Sequence, residues 1–362
     1  MRPVVIGIEV DMWIRNAWYV AAFSKELPSG LLSRTILGVK VVFYRRQDGA
    51  VTALEDKCSH RRLPLSFGYQ QGDNLVCGYH GLVFAPDGKC VAIPGQQRIP
   101  PAACVRTFAV EEANGLIWIW MGEAQSADLS LLPDVSRMGD PEWVPSEGYC
   151  HLEADYRLLV DNLLDLSHVA FVHGRTIGNT AVAESPIKVS QEGTVVSVHR
   201  DVVGAMAPPF YQHLGEFQKP IHRWHTVNYY APAACIIEIG CEALEEGDGQ
   251  GRIEGCVMHL MTPETETTTH YFWAFVRHFR QQDLALTEYI KRAITTTHGE
   301  DKVVVELQHA NLTPEQRDNP IDVAIIVDGG PVRARRVLAE MIEADARTPV
   351  AEPRGVQPCS HA

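Results

Sequence analysis

The sequence predicts an α+β protein in two parts. An all-β N-terminal third is followed by a region of long antiparallel hairpins with flanking helices. Three observations carry this reading. Short β-branched and aromatic runs alternate with Gly, Asp and Pro turns from about Trp18 to Trp120. Four apolar or alternating segments, at 194–199, 233–243, 252–261 and 268–279, are separated by acidic or Pro-containing turns such as Pro263-Glu264-Thr265-Glu266. Helical periodicity is confined to 155–172 and to stretches after residue 284.

In chain order, 39–44 is a strand, Asp48-Gly49 turns it into 51–54, and Pro86-Asp87-Gly88-Lys89 is a further turn. The run 115–122 is a strongly apolar strand. Residues 122–147 read as a polar linker, which sets expected domains at 13–122 and 148–347. Leu158, Leu159, Leu163 and Leu166 give 155–172 its helical face, with Gly174 as the stop. Helices are expected at 284–298, 301–312 and 333–347, and the tail after Pro349 is expected to be loose.

Composition narrows the function. The 362 residues are 46% hydrophobic and 21% charged, which suits full globular cores. A net charge of -13 without a basic stripe excludes nucleic-acid binding. No apolar run is long enough for a membrane helix. Residues 1–11 lack a secretory pattern, and Met12 is an alternative start that would leave them as an extension. The nine cysteines are scattered and odd in number, so reduced thiols in a cytoplasmic protein are expected.

Two short motifs carry the chemistry. Cys58-Ser59-His60 and Cys77-Gly78-Tyr79-His80 each supply one thiolate and one imidazole. Two Cys and two His fit a Rieske [2Fe–2S] cluster, with one iron on sulfur and the other on nitrogen. Gly68, Gly78 and Gly81 permit the tight turns that let backbone amides approach the inorganic sulfides. Zinc also takes Cys and His, but its usual pairs do not mix the two types across a gap of one. A second group lies at 161–173, where Asp161, Asp165, His168 and His173 are close in sequence. Two His and one carboxylate mark non-haem Fe(II) oxygenases. His168 and His173 are five apart, about 140° round a helix, so they share a metal only if the helix kinks or ends. Spacing leaves the carboxylate open among Asp161, Asp165 and the distant Asp301. The plain alternative is an Asp165–His168 pair on a helix surface.

The chain resembles the oxygenase components of Rieske ring-hydroxylating and O-demethylating monooxygenases. The likeness rests on Leu63-Pro64-Leu65-Ser66 after the first motif, Gly81-Leu82-Val83-Phe84 after the second, and Asn16-Ala17-Trp18-Tyr19-Val20. It extends to Tyr156-Arg157-Leu158-Leu159-Val160-Asp161-Asn162-Leu163, Met206-Ala207-Pro208-Pro209-Phe210, Leu260-Met261-Thr262-Pro263-Glu264, Tyr271-Phe272-Trp273 and Glu300-Asp301-Lys302. Vanillate and dicamba O-demethylase types are the nearest in pattern. Arg62 departs from it, standing where many members have Gly.

The resemblance implies a helix-grip-like catalytic domain, Fe(II) ligands His168, His173 and Asp301, and Asn162 close to that iron. It implies head-to-tail homotrimers in which Asp165 bridges His168 of one subunit to His80 of the next. It also implies O-demethylation of a methoxylated aromatic acid to a phenol and formaldehyde with O2. Electrons would come from NAD(P)H through a separate flavin and iron–sulfur reductase, and the absence of a G-x-G-x-x-G fingerprint agrees with an external donor. Expected pocket residues on the sheet are His259, Asn228 and Trp273, with Trp224 and Tyr230 as further candidates. The competing functions are ring or side-chain hydroxylation of another aromatic compound, and a substrate-free electron carrier. A carrier would need only the first third of the chain.

Overall fold

The structure, a computed structural model, describes residues 12–347. The expected extension at 1–11, the tail after Pro349 and Cys359 lie outside them. The chain divides into two compact units: residues up to Leu132 with the last turns of the final helix, and Pro133–Glu340.

The first unit is built of short strands: β1 (Trp18–Phe23), β2 (Leu31–Ile36), β3 (Val39–Arg45), β4 (Val51–Glu55), β5 (Tyr69–Gln71), β6 (Asn74–Val76), β7 (Val83–Phe84), β8 (Cys90–Ala92), β9 (Thr107–Phe108), β10 (Val110–Ala113) and β11 (Leu116–Trp120). They form three sheets in the orders β1-β11-β10, β2-β3-β4-β9 and β5-β6-β7-β8. All five residues of β11 are buried, as a continuous apolar run requires. Val42, Leu54, Leu75 and Phe84 belong with Cys58 and Cys77 to one buried apolar cluster.

Two loops project from this core and share one hydrogen-bond pattern. The Cys58 amide donates to the Leu63 carbonyl at 2.9 Å and the Arg62 amide to the Cys58 carbonyl at 2.9 Å. In the second loop Cys77 donates to Leu82 at 2.8 Å and Gly81 to Cys77 at 3.0 Å. Arg62 and Gly81 therefore hold equivalent positions, and both have left-handed backbones, with φ of 61° and 71°. This explains the departure at Arg62: the site asks for glycine, and an L-residue there is strained. Buried Asp56 pins the first loop by accepting from the Ser66 amide at 2.7 Å and the Ser33 hydroxyl at 2.8 Å. Gly68 lets the strand of the second loop pass close by, since a Cβ there would lie 1.9 Å from the Val76 carbonyl oxygen.

The second unit is one antiparallel sheet with helices. In chain order it contains β12 (Val144–Leu152), α1 (Tyr156–Leu164), α2 (Thr180–Glu184), β13 (Ile187–Glu192), β14 (Val195–Met206), α3 (Pro209–Gly215), β15 (Pro220–Tyr230), β16 (Ala234–Ala243), β17 (Arg252–Pro263), β18 (Thr269–Arg277), α4 (Leu284–Asn311) and α5 (Gly329–Arg347). The strand order is β12-β18-β17-β16-β15-β14-β13. Three of these strands were not expected. β12 begins inside the expected linker, β13 is a largely exposed edge, and β15 places Arg223 and His225 at inward positions where a strand pattern calls for apolar residues.

The expected helix at 155–172 stops at Leu164, because Asp165 leaves the helical region with ψ of 92°. His168 and His173 therefore lie in the loop beyond it, not on its surface. The expected helices at 284–298 and 301–312 are a single helix, α4. Gly299 does not break it, since a Cβ there would meet open space and the helix face opposite carries the packing through Ile290, Ile294, Asp301 and Val305. Asp161 is bound to Arg335 of α5 at 2.6 Å and is not in the group of ligand atoms that His168 and His173 form.

Replacing Arg62 by Gly should stabilise the first unit by up to about 1 kcal/mol through relief of the left-handed strain. Thermal unfolding followed by the visible absorption of the cluster checks this; an unchanged or lowered midpoint contradicts it.

Candidate active site

Cys58 and Cys77 are buried, whereas His60 and His80 are exposed with ring centroids 4.6 Å apart. Burial pushes the Cys58 thiol above its ordinary value. A thiolate there needs a cation beside it, and a bound iron would supply one. Two sheltered sulfurs and two adjacent outer imidazoles fit the two ends of a Rieske cluster.

In the second unit α1 ends at Leu164, and the loop after it is held by several contacts. The Ser167 amide bonds the Asp165 carboxylate at 2.8 Å, and Arg200 donates to the Ser167 hydroxyl at 2.9 Å. Gly178 closes the loop, since a Cβ there would lie 1.8 Å from the Val169 carbonyl oxygen. His168 and His173 emerge from it with ring centroids 5.1 Å apart. Asp301 of α4 meets them, with Oδ1 3.4 Å from His168 Nε2 and 3.0 Å from His173 Nε2.

The tautomers follow from the outer partners. His168 Nδ1 contacts the Asp165 carbonyl oxygen, and His173 Nδ1 contacts the Glu300 carboxylate at 2.7 Å. Both partners only accept, so each Nδ1 carries the proton and each neutral ring turns an Nε2 lone pair toward Asp301. Two lone pairs and a carboxylate oxygen then converge, and only a proton or a metal cation satisfies them. Burial opposes the Asp301 charge; where a proton fills that place, the bonds from His168 and His173 hold the Asp301 carboxyl well below the usual range. Burial likewise works against a charged His173, which Asp301 and Glu300 raise above its ordinary value. The donor set fits Fe(II), and the Asp165 carbonyl and Glu300 are the outer contacts that orient such ligands. A second group, His151, Glu264 and His270, also clusters, and there His151 Nε2 and Glu264 already bond each other directly at 2.6 Å.

A cavity of about 80 Å3 opens on His168, His173 and Asp301. Ile237, Val257 and Phe275 give it apolar walls, and Arg223, His225, His259 and His298 give it polar ones. His259 contacts the Tyr271 hydroxyl through Nδ1, and its Nε2 is buried without a partner. Burial and the neighbouring His298 push His259 well below its ordinary value; burial lowers His298 to about 4. Trp273 stands behind this wall, 5.0 Å from His298 between ring centroids.

Asn228, Trp224 and Tyr230 do not come to this cavity. They alternate with Arg223 and His225 along β15 and face the other side of the sheet, where Asn228 bonds Ser197 at 2.7 Å. Asn162 lies in the last turn of α1 with Oδ1 buried and unpartnered. Arg223, His225, His298 and Glu300 escaped the sequence reading. Only Glu300 carried a signal there, as the neighbour of Asp301.

Residues 17–109 match the Rieske [2Fe-2S] domain, and 152–344 match the vanillate O-demethylase oxygenase C-terminal domain. The chain is 36% identical to a vanillate O-demethylase oxygenase subunit of Pseudomonas sp. (strain HR199 / DSM 7063), over 92% of this chain and 96% of that one. It is also 36% identical to the iron–sulfur subunit of a toluene-4-sulfonate monooxygenase system of Comamonas testosteroni, over 92% and 98%. The crystal structure of dicamba monooxygenase bound to 3,6-dichlorosalicylic acid superposes with a TM-score of 0.86 at 33% identity, covering 92% of this chain and 99% of that one. The chain belongs to the Rieske non-haem iron oxygenases, as an oxygenase component of the vanillate and dicamba O-demethylase type.

Proposed function

We propose that this oxygenase component removes the methyl group of a methoxylated aromatic acid, giving a phenol and formaldehyde. One methyl aryl ether, one O2, two electrons and two protons yield one phenol, one formaldehyde and one water. The observation that carries the reading is the convergence of His168, His173 and Asp301 on an apolar cavity. The second support is that unpartnered buried polar atoms gather round that same cavity: Arg223 Nη1 and Nη2, His225 Nδ1, His259 Nε2 and His298 Nδ1. Buried polar groups without partners are rare, and a ligand's polar atoms would satisfy them.

When bound, the cluster and the Fe(II) supply electron storage and O2 activation. The chain supplies the rest. Asp165 and Glu300 fix the two imidazoles, and the apolar walls exclude water and hold the ring beside the metal ligands. His259 and His298, neutral at physiological pH, offer hydrogen bonds without added charge.

A separate flavin and iron–sulfur reductase would deliver the electrons from NAD(P)H. The exposed His60 and His80 suit electron exchange across subunits, and the arrangement we infer is a head-to-tail homotrimer in which Asp165 bridges the two centres, its carbonyl on His168 and its carboxylate on the next subunit's His80. The eight described cysteines are free thiols, which favours a reducing cytoplasm. No helix among the described residues is long and apolar enough to cross a membrane.

The equal identity to a toluene-4-sulfonate monooxygenase subunit supports a second reading, hydroxylation of an aryl methyl group or ring. A single turnover separates them. The reduced protein is mixed with O2 and a panel of methoxybenzoates including vanillate. Stoichiometric formaldehyde is expected; hydroxylated product without formaldehyde selects the second reading.

Asp301→Asn should lower iron from about three to about two per chain, leaving the cluster spectrum intact. Asp161→Asn should keep about three while costing about 3 kcal/mol of stability by unpairing Arg335. Iron analysis with thermal unfolding checks both, and iron loss in Asp161→Asn alone would reverse the assignment. Asp165→Asn should retain both metal centres and slow single-turnover cluster oxidation by about 10- to 100-fold. Full-rate oxidation or lost iron contradicts the bridging role.

A further inference from the structure

One buried cation of the second unit has no counter-ion. Arg223 of β15 is 2% exposed and lines the cavity that His168, His173 and Asp301 share. Its Nε donates to His225 Nε2 at 2.9 Å, and its guanidinium carbon lies 4.1 Å from the centroid of the Tyr211 ring. Both terminal nitrogens are buried and make no hydrogen bond. Among the described residues no carboxylate lies within ion-pair distance of it. Its cross-strand neighbour is Cys241, whose thiol burial pushes up to about 12 and so keeps neutral.

Other buried arginines of this unit each bond a protein oxygen through at least one terminal nitrogen. Arg157 forms a forked pair with Asp155 at 2.6 and 3.0 Å, and Arg277 donates to the Phe279 and Arg280 carbonyls at 2.6 and 2.7 Å. Arg200 bonds Ser167 through Nη2 and feels the Asp165 charge, while its Nε and Nη1 are buried without partners. A guanidinium cannot escape by losing its proton. An unpaired buried charge is costly, so its persistence calls for an anion that arrives from outside.

The neighbours are suited to one. Arg223 Nε can only donate, so His225 Nε2 accepts and Nδ1 carries the proton. That Nδ1 is also buried and unpartnered, a third donor in the same region. Burial, then Arg223 itself, hold His225 well below its ordinary value, so it brings no second charge. Two terminal N–H groups in a fixed fork match a carboxylate edge or two oxygens of a sulfonate.

We propose that Arg223 is the anion anchor of the substrate site, its terminal nitrogens binding the carboxylate or sulfonate of an aryl acid while Ile237, Val257 and Phe275 enclose the ring. The inference rests on the reading that this cavity takes an aromatic acid. It adds to the neutral histidines of the pocket the one permanent cation of the cavity wall among the described residues.

The test is equilibrium binding to the oxidised holoenzyme under argon, by calorimetry, with 3-methoxybenzoate, 4-methoxybenzenesulfonate and methyl 3-methoxybenzoate. The wild type should bind at least one anion about tenfold or more tightly than the ester. The stronger of the two anions identifies which oxyanion the fork fits. Arg223→Met should bind acid and ester alike, with ester affinity kept, and Arg223→Lys should retain part of the preference. If Arg223→Met binds neither, the Lys variant decides: a reduced acid-to-ester ratio supports the anchor and an unchanged ratio overturns it. A wild type with no preference for either anion overturns it as well. Formaldehyde from a neutral methoxyarene, without charge-selective binding, would sink the anchor and keep demethylation. Charge-selective binding without formaldehyde from any methoxybenzoate would do the reverse.

Discussion

The site depends on one electrostatic constraint: two imidazole lone pairs are forced to face one carboxylate oxygen. The Asp165 carbonyl and the Glu300 carboxylate take the outer protons of His168 and His173, so the inner nitrogens meet Asp301 as acceptors. Left alone this arrangement is repulsive, and a bound cation turns it into three ligands. The local backbone follows from that need. α1 must stop at Leu164 so that Asp165 can offer its carbonyl, and Gly178 must lack a Cβ so that the loop folds back over Val169.

The large sheet serves the same end. Its central strands turn polar residues toward the cavity: Arg223 and His225 on β15, His259 on β17. Each costs desolvation, and the unpartnered atoms among them show that the cost is not recovered inside the chain. Structure of this kind favours binding over stability. The first unit solves a different problem with the same economy of means, using two copies of one hydrogen-bonded loop to bring two thiols and two imidazoles together.

Much of this was legible in the sequence, and the failures have physical causes. The cluster loops announced themselves because ligand types and turn glycines recur within a few residues. The His168 and His173 pair was visible, but the spacing of five within an apparent helix hid the geometry: Leu166 continues the apolar period after the backbone has already left the helix. Asp301 lies more than a hundred residues away, and only resemblance joined it to the histidines. β15 was missed because its inward positions are polar, which is the trace that a binding wall leaves in a strand. The same inversion put Asn228 and Trp224 forward as pocket residues when Arg223 and His225, of the opposite parity along the strand, hold that face. The gap between the expected helices 284–298 and 301–312 falls at Gly299, but a glycine on an exposed helix face costs only about 1 kcal/mol, and the buried face repays it.

The most direct test is anomalous diffraction at the iron edge from crystals of the protein as purified with iron. Density is expected at two places: a pair of irons among Cys58, His60, Cys77 and His80, and a single iron bounded by His168, His173 and Asp301. Iron at His151, Glu264 and His270 instead, with none beside Asp301, would contradict the assignment on which the rest depends.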